Sequence, residues 1–463
     1  MGPTMAERAL EAKLFGADWR AAQQGAGSAD GTAWPATRWV GKQGEEIAVP
    51  RWRWFIQQLV RRIWFRAAAI SAGSVLIALA AAWLAPIIPY EFSVTMGADA
   101  VDDILTILAS SMLAVTTFSL TAMVAAFSGA AQMGSPRATE LLIEDAAAQN
   151  AISTFLGGFL FAIVGLVALS SQLYGPQGRV VLFIGTIGVI VWISITLLRW
   201  IAQLSTFGRV GDTIKRVERQ AIAALDAYPG PTLFAGRVET HAPEAAAQSF
   251  SCDRTGYVAH VDRGKLSSLV RDEGAQLHLV SAAGHFVDPG LPVAWADAPV
   301  EGLTDEMVCD AFSIARSRDF DQDPRFGMVV LAEVASRALS PAVNDPGTAI
   351  ASLVAGQRVL DHFIDPERPP SPPLPGLVDM PLSLQEMVED LVLPIARDGA
   401  GVVEVGMQVQ KLLGSLARRC PGARKWLLEM AEHCLERSRA AMADEMEKQR
   451  LGRAYRRAFD IPA

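Results

Sequence analysis

Charge is scarce in this sequence: 19% of its 463 residues are Asp, Glu, Lys or Arg, against 51% hydrophobic. Soluble domains average about a quarter charged residues, so the shortfall points to a membrane protein. Long basic runs are missing as well, and the formal net charge is −8, which excludes nucleic acid as a partner. Cys252, Cys309, Cys420 and Cys434 stand far apart, without the C-x-x-C or Cys/His spacing of a zinc site. They are expected to be free thiols in a reducing compartment. His241, His260, His278, His285, His362 and His433 form no close ligand pattern. No G-x-S-x-G, Walker or G-x-G-x-x-G motif stands between a strand and a helix. The expectation is a protein that is not an enzyme and takes no metal or cofactor.

What the chain does have is long uncharged runs. Residues 1–50, rich in Ala, Gly and Gln with no sustained apolar period, read as disordered or loosely docked, and no cleavable signal peptide is recognisable there. Arg51, Arg53, Arg61, Arg62 and Arg66 interleave with Trp52, Trp54, Phe55, Trp64 and Phe65, the composition of a membrane-interface belt. Spans are predicted at 67–90, 104–127, 151–173 and 180–198, each long enough for a hydrocarbon core of about 30 Å at about 1.5 Å per residue. None contains Asp, Glu, Lys, Arg or His, which disfavours a pump or carrier built on buried charge. The loop 91–103 holds Glu91, Asp99, Asp102 and Asp103 but no Lys or Arg, whereas Arg199, Arg209, Lys215, Arg216 and Arg219 follow the fourth span. With the basic belt before the first span, this places both termini on the cytoplasmic side.

The second uncharged run is studded with hydroxyls. Ser110, Thr117 and Thr121 recur at spacings of seven and four, hence on one helical face, while Ser111 and Ser119 fall off it. Such hydroxyls bond their own helix or a neighbour, or line a wet path. In the third span Gly157, Gly158 and Gly165 permit close helix approach. Ser135-Pro136-Arg137 reads as the cap and first turn of a short amphipathic helix. Arg137 is either an interfacial anchor or a fixed cation at a pore or binding mouth.

Beyond residue 210 the chain is soluble in character. Residues 214–227 form a predicted stalk helix. Short strands are predicted at 255–261, 277–280 and 291–295, and helices at 303–316, 324–339, 346–363, from Ser383 to about 396, at 402–418 and at 423–450. Asp323-Pro324 and Asp345-Pro346 are helix starts, and Ser383 with Glu386 is a capping box. Pro341 and Pro346 bracket the turn 338–349, where Ser340, Asn344, Asp345 and Thr348 are expected to gather at a positive helix end. That spot suits an ion or a small anionic ligand, or else pins two helices together. The fold class is mainly α: a four-helix transmembrane domain over 51–209, then a cytoplasmic α+β domain with a stalk and small β unit over 210–302 and a helical bundle over 303–463.

Several motifs carry a resemblance. Phe118-Ser119, Gln132 and Ser135-Pro136-Arg137 are joined by Gly256-Tyr257, Phe286-Val287 with Gly290, and Asp323-Pro324 with Gly327. The most specific stretch is Ala338-Leu339-Ser340-Pro341 with Asn344-Asp345-Pro346 and Thr348-Ala349. On these residues the chain resembles a bacterial family of predicted membrane proteins with a domain of unknown function, over roughly 52–450. Ala342 and Gly347 stand where that family more often has a glycine and a bulkier residue. The resemblance implies a membrane topology, in a bacterial inner membrane, and brings no activity with it.

Two functions are compatible with these features. One is a homo-oligomeric, channel-like protein of the lipid bilayer with a cytoplasmic regulatory domain. Ser110, Thr117 and Thr121 then line the path, and Arg137, Ser340, Asn344, Asp345 and Thr348 serve gating or ligand binding. The other is a membrane-anchored sensor or interaction module. The single hydroxyl face of the second span favours the first.

Overall fold

The computed structural model describes residues 63–84, 98–133, 135–143, 146–171, 176–204, 209–238, 247–366 and 372–461. The expected loose segment 1–50 lies outside them, as does most of the acidic loop 91–103. The membrane part consists of α1 (Ile63–Leu84), α2 (Ala98–Met133), α4 (Ala146–Ser170) and α5 (Pro176–Leu204), with the short α3 (Pro136–Ile143) between α2 and α4. Among the described residues three stretches are long and apolar enough to cross a membrane, Val101–Gly129, Ala147–Ser170 and Gly178–Leu204. The predicted span 67–90 falls on α1, whose stretch Ala68–Ile77 is apolar but shorter. Its far end lies outside the described residues.

Helix α4 is the one the others pack on, and its glycines show how. A Cβ at Gly157 would sit 2.8 Å from Ser74 Oγ of α1, and one at Gly158 would sit 2.6 Å from Ile193 Cδ1 of α5. A Cβ at Gly165 would lie 3.1 Å from Leu105 Cδ1 of α2. In hydrocarbon, where no hydrophobic force drives helices together, such close approach supplies the packing energy. Phe155, Phe161 and Ala162 of α4 are buried between the neighbours. Trp200 of α5 donates its indole N–H to Ser119 Oγ of α2 at 3.0 Å, a bond strengthened by the surrounding low dielectric.

The soluble part is a single apolar core from Ala138 and Leu141 of α3 to Phe459. The predicted stalk is instead a core helix: α6 (Val210–Ala227) buries Ile214, Val217, Ala221 and Leu225. A Cβ on Gly327 would come within 2.4 Å of Ala221 Cβ. The apolar stripe has the expected helical spacing, but it faces other helices of the domain.

Strands β1 (Thr232–Leu233), β2 (Gln248–Ser251), β3 (Gly256–Val261), β4 (Leu277–Leu279), β5 (Phe286–Val287) and β6 (Pro292–Ala296) follow, with α7 (Arg263–Val270) after β3. The predicted helix 303–316 is overturned. It is a five-residue α8 (Asp305–Cys309) followed by β7 (Phe312–Ala315), which pairs antiparallel with β3. Tertiary pairing here outweighs local helix propensity. After α9 (Pro324–Ala338) and α10 (Pro346–Phe363) come β8 (Leu377–Val378) and β9 (Leu382–Ser383). The sheets run β2-β6-β4-β8, β5-β3-β7 and β1-β9, so strands from both sides of residue 302 share sheets.

Helices α11 (Leu384–Asp398), α12 (Val403–Arg419), α13 (Arg424–Ala441) and α14 (Glu445–Phe459) close the chain. The predicted helix 423–450 breaks before α14, where the Asp444 carboxylate accepts the Met446 N–H at 2.8 Å and caps a new helix. The capping box is half present: Ser383 Oγ accepts the Glu386 N–H at 3.3 Å, while the Glu386 carboxylate goes to Arg325 at 2.7 Å.

The cysteine expectation needs correction. Cys252, after β2, and Cys309, at the end of α8, form a disulfide with Cα atoms 5.4 Å apart. A sequence separation of 57 residues and the absence of a motif hid the pairing. Cys420 and Cys434 are free and buried, and burial pushes the Cys434 thiol up to about 11.

Replacing Gly158 by Val forces a side chain onto Ile193 and is expected to destabilise the detergent-solubilised protein by about 1–3 kcal/mol. Gly188→Val, at a position with nothing within 4 Å, is expected to leave the thermal midpoint unchanged.

Candidate functional site

The apolar stretch of α2 ends at Gly129 and the helix at Met133. Pro136 has no N–H, so α3 restarts the chain with Ser135 as its cap, Ser135 Oγ accepting the Arg137 N–H at 3.2 Å. The same hydroxyl donates to Glu333 Oε2, and Arg137 Nη1 donates to Glu333 Oε1. Ser-Pro-Arg thus directs a hydroxyl and a guanidinium onto one carboxylate in the middle of α9. Glu333 escaped sequence reasoning. Its only signal is an acidic residue inside the otherwise apolar run Val329-Val330-Leu331-Ala332-Glu333-Val334-Ala335.

Arg325, Val329, Glu333 and Arg337 recur every fourth residue, so they form one stripe along α9. That stripe, α3 and α11 flank an open cleft of about 800 Å³. Arg325 holds Asp390 of α11 at 2.8 and 3.2 Å and Glu386 at 2.7 Å. Arg237 reaches Glu389 at 2.8 Å, and Arg397 holds Asp398 at 2.7 and 3.0 Å. Arg337 is exposed and makes no ion pair among the described residues. Arg137, offered by sequence as anchor or mouth cation, stands here, apart from the turn with which it was grouped.

The turn 338–349 has a structural explanation. Asp345 N donates to Ala338 O at 2.8 Å and Asn344 N to Ser340 O at 2.9 Å. Asn344 makes this closure by taking a left-handed φ of 49°, a conformation Asn tolerates better than most residues. Ser340 Oγ donates back to Arg337 O at 2.7 Å. The Asp345 carboxylate accepts the Thr348 hydroxyl at 2.7 Å and the Thr348 N–H at 3.1 Å. These bonds, the hydroxyl first, hold Asp345 below the usual carboxylate range. The expected gathering of Asp345 and Thr348 is present, and its donors are occupied in capping α10.

Other residues of the motifs also have packing roles. Asp323 caps α9 through the Phe326 N–H at 3.0 Å and takes both arms of Arg318, at 2.7 and 2.9 Å. Burial raises its carboxyl above the ordinary value against the pull of Arg318. Gly284, at φ 89°, passes so close that a Cβ would lie 2.0 Å from Asp323 Oδ2. Beside it the Ala282 N–H donates to His285 Nδ1 at 2.8 Å, and burial pushes His285 down to about 4, so the ring is neutral near pH 7.

In the membrane part, Ser110, Thr117 and Thr121 lie together on the exposed side of α2, whereas Ser119 is buried. Each hydroxyl donates to its own helix: Ser110 to Thr106 O and Ile107 O at 3.1 Å, Thr117 to Leu113 O and Thr121 to Thr117 O at 2.9 Å. Among the described residues none of the three hydroxyls bonds a neighbouring helix.

Apolar helices of spanning length, packed through glycines and fastened to a soluble domain, define a multi-pass membrane protein. The chain belongs to the family of predicted membrane proteins DUF2254, whose pattern covers residues 60–415. It is 32% identical over 148 residues to uncharacterised proteins of Mycobacterium bovis and Mycobacterium tuberculosis, covering 30% of this chain and 28% of theirs. The chain thus matches under a third of the length of these curated relatives. No solved structure matches.

Asp345→Ala is expected to cost about 0.5–2 kcal/mol of stability and Asp345→Ser much less, because Ser also caps. A carboxyl depressed in the folded state stabilises above its unfolded pKa, and that contribution fades as pH falls through the folded value. The difference in chemical denaturation between the wild type and Asp345→Ser should therefore shrink toward acid pH.

Proposed function

We propose that the protein is a subunit of a homo-oligomeric, cation-permeable channel of the bacterial inner membrane, without enzymatic activity, regulated by its soluble domain. The observation that carries this reading is the exposed hydroxyl face of α2. Helix α4 fills the middle of the protomer, so a path has to run between copies around a symmetry axis. Each of the three hydroxyls spends its proton on a carbonyl and keeps lone pairs facing outward, so the face offers acceptors to water or a cation. Exposed Asp102 and Asp103 stand at the start of α2, the arrangement that favours cations at a channel entrance.

Purified protein in liposomes is expected to pass K⁺ or Na⁺, with Thr117→Val and Thr121→Val reducing the flux and leaving the oligomer intact. A monomer in detergent and in lipid, silent to both ions, overturns the reading. The anchored-sensor alternative is favoured by the arginine-lined cleft. Lack of flux with ligand binding retained would select it.

The basic residues that flank the spans support a cytoplasmic position for both termini. The Cys252–Cys309 disulfide pulls the other way, since disulfides persist in oxidising compartments. The basic residues weigh more because they stand before the first span and after the last. A Glu445→Cys variant is expected to react with a membrane-impermeant maleimide only after permeabilisation, and labelling in intact cells reverses the topology. Peptide mapping without reductant should show the Cys252–Cys309 link.

A further inference from the structure

The cleft beside the Ser-Pro-Arg joint carries five guanidinium groups, from Arg137, Arg237, Arg325, Arg337 and Arg397, against the three carboxylates Glu333, Glu389 and Asp390. The lining charge is +2, and Glu386 on Arg325 and Asp398 on Arg397, just behind the lining, balance it. Each of the three carboxylates is already engaged by an arginine. Their partners are not saturated, since a guanidinium has five N–H donors. Arg137 and Arg237 each place a single nitrogen on their acid. The side chains of Arg137, Arg237 and Arg397 are 56%, 70% and 57% exposed, so the unused donors face the opening. Planar forks in that number suit a phosphate, which takes bidentate arginine contacts.

Size and position narrow the ligand. About 800 Å³ is within the range of small-ligand sites and exceeds what an inorganic ion fills. From Gly129, where the apolar stretch of α2 ends, to Met133 is about 6 Å of helix, and Ser135 and Arg137 follow directly. The polar headgroup layer adds about 5–8 Å on each side of the hydrocarbon core. The cleft therefore opens at headgroup depth.

The geometry points to a binding site for a phosphate-bearing anion in this cleft, with Arg137, Arg337 and Arg397 as its principal contacts and an anionic glycerophospholipid headgroup as the source its depth favours. The site stands apart from ion conduction and is tested without it.

The test uses the full chain, delipidated in neutral detergent and titrated calorimetrically with short-chain phosphatidylglycerol, short-chain phosphatidylcholine, glycerol 3-phosphate and inorganic phosphate. Phosphatidylglycerol is expected to bind saturably, and the Arg337→Gln/Arg397→Gln double variant to weaken it by about tenfold or more. Arg453→Gln, an exposed arginine outside the cleft, should change nothing. Binding of phosphatidylglycerol alone identifies the lipid as source. Equal, arginine-dependent binding of glycerol 3-phosphate or inorganic phosphate identifies a soluble phosphate. Phosphatidylcholine binding as well as phosphatidylglycerol, binding indifferent to the double variant, or no binding of any probe to the folded wild type overturns the site. Unchanged thermal midpoints for the variants separate a lost contact from a lost fold, and Arg337→Lys/Arg397→Lys, which keeps the charge, should recover part of the affinity.

Discussion

One carboxylate joins the two halves of this molecule. Glu333 sits in the middle of α9 with core residues on either side in sequence, and its half-buried carboxylate faces the cleft. Its partners come from almost two hundred residues away, Ser135 and Arg137, at the point where the chain leaves the membrane. With Arg137 56% exposed, water screens the ion pair and its contribution to stability is small. The joint therefore acts less as glue than as a register mark. It fixes which turn of α9 faces the end of α2.

Around that mark the two halves are held by different physics. In the membrane part, apolar surface drives nothing together, and close approach at Gly157, Gly158 and Gly165 with one buried indole-to-hydroxyl bond sets the packing. In the soluble part, burial of Val, Leu, Ile and Phe side chains supplies the force, at about 25 cal/mol per Å² of apolar surface. Leu141 and Ala138 of α3 belong to that second core, so the short helix after the membrane is anchored by hydrophobic burial as well as by Glu333. Two independent attachments at one place make the end of α2 a rigid continuation of the soluble domain.

How much of this was legible in the sequence follows from how local each determinant is. The long apolar helices, the caps Asp323-Pro324 and Asp345-Pro346, and the close-packing glycines are written within a few residues, and they were readable. The face of Ser110, Thr117 and Thr121 was readable for the same reason, being a matter of spacing. The Ser135/Arg137–Glu333 joint, the Cys252–Cys309 disulfide, strand β7 on β3 and the burial of α6 all depend on residues distant in sequence, and periodicity carries no signal for them. The turn 338–349 is conspicuous in the sequence through its prolines and Asx residues. Its donors turned out to be spent on capping, while the residues with donors to spare lie on the helix before it.

The conspicuous turn spends its donors on capping, and Arg325 and Arg337 of the cleft stand on the plain helix before it. Arg325, Glu333 and Arg337 share one face of α9, a rigid element of 15 residues. Arg137 belongs both to the joint and to the cleft. Arg137 spends one nitrogen on Glu333 and keeps further N–H donors for the cleft, so the joint and the cleft share one side chain. Ser135 is a second polar tie between α3 and Glu333, and burial of Leu141 keeps α3 in place. The end of α2 and the arginine-lined cleft therefore meet in a single arginine.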